Sequence, residues 1–495
     1  TLIFLNFTPE STHMDNLLFN SIEYLILLPL IFLIHWFACK SGRSKNLFLI
    51  AASYLFYGWW NMKLLALIFL VTIAAYGAGI AIDSPKASPR SRKFMLVTSI
   101  IINIGTLVAF KYFDFFAESF TKVLQAAGLS PDIPTLNLIL PVGISFYSFQ
   151  AMSYAIDVYR RKISATHDPA AFFVFISFFP QLVAGPIERA SNILPQFLRN
   201  RRRFTYKRGV EGMQLILWGL FKKMVVADNA AVIVNQIFAD PQDVGTINLW
   251  IGALLFTFQI YGDFSGYSDI AIGTSRLFGI DLMKNFSLPY FSRDIAEFWR
   301  KWHISLTTWF RDYLYIPLGG NRKGKTRTIG NTAAVFLVSG LWHGANFTYV
   351  AWGAYHALLF IPLVIAGKSK RFTAPNSSKG LPPFRESALM GITFLLVMIE
   401  WVIFRAESVT HAASYIADMF SHYSPAPFVM GKQPLLWIAL LVVIEWGTRF
   451  KTNPLARSSS GLWKYPAVRW AGSIVLFFIT MIFAGNPQEF IYFKF

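Results

Sequence analysis

Apolar positions in this chain neither alternate nor stripe one face of short helices; they run on. Stretches of about 17–25 mostly apolar residues, the length a helix needs to cross a bilayer, recur from end to end. They lie near 21–39, 46–61, 63–82, 93–112, 138–158, 210–238, 247–280, 328–344, 346–367, 388–406, 434–448 and 467–485. A backbone in lipid must satisfy its own polar groups, which leaves helices or closed barrels. The run lengths choose helices and predict an all-α, polytopic transmembrane helical bundle of about 11–12 spans.

The polar loops orient that bundle. KSGRSK (40–45), KASPRSRK (86–93), RRK (160–162), RNRRRFTYKR (199–208), RKGKTR (322–327), KSKR (368–371) and 449–457 are basic, whereas 113–137 and 407–431 carry several acids. The span order places every basic loop on one side, and positive-inside bias makes that side cytoplasmic. Both ends of the chain then face away from the cytoplasm. Lys222 and Lys223 fit poorly, because they sit inside an apolar run; that segment is expected to touch the interface or a wet cavity.

One polar-aromatic stretch is not a span. SRDIAEFWRKWHISLTTWFRDYLYIPL (292–318) mixes Trp299, Trp302 and Trp309 with Arg300, Lys301, Arg311 and Asp312. Asp294 followed by Glu297 has the form of a capping box and predicts a helix start. The stretch is too polar for lipid and reads as an interfacial or re-entrant helix buried in protein, ended by Pro317 and Gly319-Gly320.

Composition agrees. Of the 495 residues, 55% are hydrophobic and 14% charged, against about 25% charged in soluble domains; mean hydropathy is +0.46. The net charge of +19 would point to nucleic acid in a soluble protein, but positive-inside loops account for it here and no nucleic-acid partner is expected. Cys39 is the single cysteine, which excludes an internal disulfide and cysteine metal clusters. Residues 1–13 read as a non-native or disordered extension ahead of Met14, and 14–495 as one transmembrane domain.

Ionisable residues at membrane depth are the first candidates for chemistry. His343, in SGLWHGANFTYVAWG, follows an apolar run, and Gly340 and Gly344 give its helix a small face for close approach. It reads as a general base, since an imidazole exchanges protons near neutrality, or as a structural histidine bonded to backbone. His303 shares a helical face with Trp299 and Thr307, as a helper that binds substrate or as a polar anchor. His356 reads as packing. No HxxxH or HExxH pair exists, so no metal is expected. In QIYGDFSGYSDIAIG, Gln259, Asp263 and Gly266 share one face and Ser265 and Asp269 another; so many polar groups must avoid lipid, and they line a tunnel or, as favoured for most, bond neighbouring helices. Pro180, Gly185 and Pro186 break the apolar pattern of 177–197, as expected where backbone shapes an internal site. Arg300, Lys301, Arg311 and Arg322, with Lys323, Lys325 and Arg327, are placed to meet the phosphates of coenzyme A, or are ordinary positive-inside charge.

Several long runs, in one order, resemble the membrane-bound O-acyltransferases, and within them the bacterial alginate O-acetyltransferase branch. They are LPVGISFYSFQAMSYAIDVYRRK (140–162), FFPQLVAGPIERASNILPQF (178–197), YGDFSGYSDIAIGTSRLFGI (261–280), FWRKWHISLTTWFRDYLYIPLGGNRKG (298–324), SGLWHGANFTYVAWGAYHA (339–357) and FIYFKF (490–495). The resemblance implies a bundle around a thin central tunnel, with acetyl-CoA as cytoplasmic donor and no permanently bound cofactor. It matches His343 to the principal catalytic histidine and His303 to a second one. The related teichoic acid D-alanyltransferases share the WH…S…WFRD pattern, but the YIPLGGNR run (315–322) favours the acetyl-transferring branch. It further implies membrane lipids as surroundings, a separate extracytoplasmic acetyltransferase partner, a polysaccharide acceptor and the bacterial inner membrane. A D-alanyl or longer-acyl transferase loaded by a carrier protein, a donor transporter without chemistry, and a scaffold remain as alternatives.

Overall fold

The computed structural model describes residues 19–129, 133–182, 185–199, 203–241, 244–373, 380–421, 433–451, 453–456 and 462–491. Residues 1–13 (with His13), His422 and the last four positions of the FIYFKF ending lie outside that set. The described residues form helices joined by turns, with no strand among them. Each expected apolar run is a helix: Ile22–Leu33, Gly42–Trp60, Leu65–Asp83, Pro89–Leu107, Ile144–Tyr159, Tyr206–Leu220, Gly245–Leu277, Gly324–His343, Phe347–Ile365, Phe384–Arg405, Gln433–Gly447 and Pro466–Ile482. Among the described residues, four stretches, Met62–Asp83, Pro89–Ala126, Phe347–Ile365 and Phe384–Arg405, are both long and apolar enough to cross a membrane.

Caps explain where helices begin. Ser88 Oγ accepts from Ser91 N at 3.2 Å, and Pro89 follows in the first turn, so that helix starts ahead of the apolar run. Asp168 caps Pro169–Ser177 in the same way, accepting from Ala171 N at 3.2 Å. Two stretches read as loops are helical. Phe113–Ala126 continues the preceding helix, and Val409–Ser421 buries Ala412, Tyr415 and Met419 along one side. Both are amphipathic, a pattern that a search for unbroken apolar runs passes over.

The chain divides into two compact units, one reaching Thr205 with Leu277–Leu282 added, the other comprising Tyr206–Arg276 and Met283–Phe495. In the first, Leu65–Asp83 packs against Pro89–Leu107 and Ile144–Tyr159, around an aromatic core of Tyr154, Phe172, Phe56 and Phe179. Pro180 lies in a short turn, Phe179–Leu182, whose residues are all buried, as are Gly185 and Pro186.

In the second unit, helices Gly324–His343 and Phe347–Ile365 form a close antiparallel pair. A Cβ on Gly340 would collide with the Tyr349 carbonyl oxygen, and one on Gly353 with that of Phe336. Only glycine permits this approach, as the Gly340 reading anticipated. This pairing places His343 at a helix end against its neighbour.

Candidate active site

His303 does not sit on a continuous helix. Helix Ile295–Lys301 starts as expected: Asp294 Oδ1 accepts from Glu297 N at 2.7 Å, and Glu297 Oε2 accepts from Arg293 N at 2.8 Å. The chain then breaks at Trp302-His303 and restarts as Ile304–Phe310, with His303 itself left-handed at φ +42°. Trp299, His303 and Thr307 therefore do not share one helical face. A non-glycine residue in that conformation persists only where surroundings hold it. Here Asn285 does so. Its backbone carbonyl accepts from Ile304 N at 2.9 Å, and its side-chain Oδ1 lies 3.0 Å from His303 Nδ1 and accepts from Ser305 Oγ at 2.9 Å.

The bond fixes the ring. A carbonyl oxygen only accepts, so Nδ1 carries the proton and the lone pair belongs to Nε2. His303 lies outside the candidate spans, and burial lowers its pKa from 6.5 to about 3, so the ring is neutral at physiological pH. Phe264 meets it edge-on at 4.7 Å and Phe286 stacks at 6.4 Å.

His343 is the last residue of its helix and is 4% exposed. Three rings form a cup around it: Trp342 at 5.0 Å, Trp352 at 5.0 Å and Phe404 at 5.4 Å, each near edge-on. Trp342 also contacts His303, with ring centroids 6.0 Å apart. One indole thus lies against both histidines that the sequence singled out. Asn346 is occupied in capping, its Oδ1 accepting from Thr348 N at 3.0 Å.

The lysines inside the apolar run are buried and paired. They lie in a widened helical turn, Phe221–Ala227. Lys223 Nζ is 2.7 Å from Asp263 Oδ1 and 2.8 Å from Asp228 Oδ1, and donates to the Gln488 carbonyl at 2.9 Å. Asp263 Oδ2 accepts from Ile491 N at 2.7 Å, and Phe490 packs on Tyr267 and Phe264. Lys222 Nζ reaches Asp269 Oδ2 and Ser265 Oγ, each at 2.8 Å. Asp263, Ser265 and Asp269 of helix Gly245–Leu277 therefore bond neighbouring segments, the reading favoured for most of its polar groups.

The expected cations separate into two kinds. Arg300 donates to the carbonyls of Ser369 at 2.9 Å and Phe372 at 3.0 Å. Lys301 pairs with Glu297 at 3.0 Å; although burial alone would raise it, the Arg293 bonds and the Lys301 charge hold the Glu297 carboxyl below its ordinary pKa. Arg311 and Arg322 are exposed, Arg311 beside Asp312 at 2.8 Å. Sequence reasoning missed Glu400, which lies 3.1 Å from His356 Nε2. The signal was a lone carboxylate inside an apolar span, VMIEWVIF.

Comparison with known proteins bears on what this arrangement does. The profile of the membrane-bound O-acyltransferase family matches residues 158–377. The chain is 38% identical to a probable alginate O-acetylase of Pseudomonas putida, over 97% of this chain and 100% of that one. It is 35% identical to the peptidoglycan O-acetyltransferase of Helicobacter pylori, over 77% and 74%. To the teichoic acid D-alanyltransferase of Streptococcus thermophilus it is 31% identical, over 59% and 75%. With its apolar helices and a relative matched over its full length, this multi-pass membrane protein belongs to the membrane-bound O-acyltransferase family.

Proposed function

We propose that this O-acyltransferase takes acetyl from cytoplasmic acetyl-CoA at a bacterial inner membrane and supplies it for O-acetylation of an extracytoplasmic polysaccharide of the alginate or peptidoglycan kind, through a separate extracytoplasmic acetyltransferase. The observation that carries this reading is the placement of two buried histidines against one indole, Trp342, inside an aromatic cup. The names of the Pseudomonas and Helicobacter relatives support acetyl over D-alanyl transfer.

In this mechanism His343 accepts the proton of an acceptor hydroxyl as its oxygen attacks the thioester carbonyl. The C–O bond forms, the C–S bond breaks, and the coenzyme A thiolate leaves with the proton returned by His343. General-base help of this kind supplies about 10²–10⁴-fold in rate. Neutral His303, its Nδ1 held by Asn285, offers an Nε2 acceptor that positions a hydroxyl without taking its proton. Exposed Arg311 and Arg322 are available for the donor's phosphates, whereas Arg300 and Lys301 already hold parts of the chain together.

The test uses purified full-length protein in detergent with labelled acetyl-CoA. His343→Ala should lower thioester cleavage and acetyl transfer by about 10²–10⁴-fold while the protein still accumulates in the membrane. Full activity in that variant would refute the assignment. Labelled donor that crosses proteoliposomes uncleaved would make the protein a transporter, and activity with an aminoacylated carrier protein alone would make it a D-alanyltransferase.

A further inference from the structure

One helical turn from the His343 cup lies a buried polar pair that the mechanism above does not use. His356 and Glu400 are both fully buried, at 0% exposure, with Nε2 and Oε2 3.1 Å apart. Trp299 Nε1–H donates to His356 Nδ1 at 3.3 Å. An indole N–H only donates, so Nδ1 accepts and the ring's proton sits on Nε2, facing Glu400. Indole, imidazole and carboxyl form one ordered series.

The pair joins the two helices that build the cup. On Phe347–Ile365, His356 follows Trp352 by one turn; on Phe384–Arg405, Glu400 precedes Phe404 by one turn. Residues four apart on a helix lie on the same face. Trp352 is edge-on to both imidazoles, 5.0 Å from His343 and 4.7 Å from His356, and touches Phe404 at 5.4 Å. Trp299 also packs against Trp352, at 5.7 Å. Aromatic packing alone is tolerant of sliding, whereas a close polar contact between two helices, 3.1 Å here, restricts their register. A carboxyl group at full burial is costly, and register is what apolar packing in its place would not supply.

We propose that Glu400 and His356 are positioning residues for the acyl-transfer site, locking the register of helices Phe347–Ile365 and Phe384–Arg405 so that Trp352 and Phe404 hold the His343 ring in its reactive orientation. This rests on His343 being the general base. Its consequence is specific: loss of the contact misplaces the ring by a fraction of an ångström to an ångström and lowers kcat, while donor binding and folding are kept.

The decisive pair is Glu400→Gln and Glu400→Asp, in full-length protein, read as kcat and KM for acetyl-CoA beside the melting temperature in detergent. Glu400→Gln keeps an acceptor oxygen in place and should stay within about threefold of wild-type kcat. Glu400→Asp keeps the carboxyl group but withdraws it by one methylene, and should lose about 10- to 10²-fold in kcat, with KM within about twofold and the melting temperature unchanged. Wild-type kcat in Glu400→Asp, or a loss confined to KM or to folded yield, overturns the proposal. Should Glu400→Asp fail to accumulate, His356→Gln against His356→Ala decides. The glutamine amide can still donate toward Glu400 and should recover at least about fivefold in kcat over alanine; equal rates overturn the proposal. His343→Ala run alongside separates the two ideas. If it is active, the general-base reading fails and this one with it; if it is inactive while Glu400→Asp is fully active, only the register lock fails.

Discussion

The two units bury polar groups of different kinds. Among the described residues, the first unit's core holds mostly neutral ones, such as Asn46, Ser53, Thr72 and Asn103, with His35, Asp157 and Glu188 as its buried ionisable residues. The second buries Lys222, Lys223, Asp228, Asp263, Arg293, Glu297, His303, His343, His356, Glu400 and Glu445. Both units solve the same problem, since helices with apolar surfaces must also pack on one another. Neutral hydroxyls and amides bonded to their own helix, such as Thr72 to the Ile68 carbonyl, cost little and specify little. Paired charges cost more and specify geometry. Their concentration in the unit that holds His303 and His343 shows where this molecule keeps its precision.

The sharpest way to break that contrast after His343→Ala is Lys223→Met. It leaves Asp228 and Asp263 facing one another without their shared cation, and should destabilise the second unit by about 3–5 kcal/mol, seen as lost membrane accumulation or a large fall in melting temperature. Little change would mean that the buried charges are not structural, and the comparison would fail. Asn285→Ala removes the acceptor that fixes the His303 tautomer and should lower kcat by about tenfold with little change in donor KM; an unchanged kcat would remove His303 from the site. Asp294→Ala deletes the cap ahead of the break at His303 and should cost about 1 kcal/mol of stability, measured by thermal unfolding. At the small end, Lys162→Ala in the first unit removes a half-exposed partner of Asp157, 3.6 Å away. It should change stability by less than about 1 kcal/mol and leave activity untouched. A large loss there would show that the first unit also depends on its charges.

Legibility followed the same line. The apolar runs were legible because spanning length is a local property: twelve of them became helices, with ends shifted where Ser88 or another cap took over. The capping role of Asp294, the close approach at Gly340 and the candidacy of His343 were also local signals. The break at His303 was not, because Trp302-His303 carries no glycine or proline; the left-handed turn is held by Asn285, eighteen positions earlier. Lys222 and Lys223 looked misplaced for the same reason, since the carboxylates of Asp228, Asp263 and Asp269 become partners only when helices pack. His356 read as packing because Glu400, its partner, is forty-four residues on.

What the sequence determined by itself was the class of object: a helical membrane protein with a few ionisable residues too costly to bury idly, because transfer free energy and helix length depend on residue type and run length alone. The tertiary structure decided which of those residues meet. Hydrogen bonds and ring contacts act over a few ångströms, and helix packing brings Trp342, which adjoins His343 in the chain, against His303 and sets Glu400 beside His356.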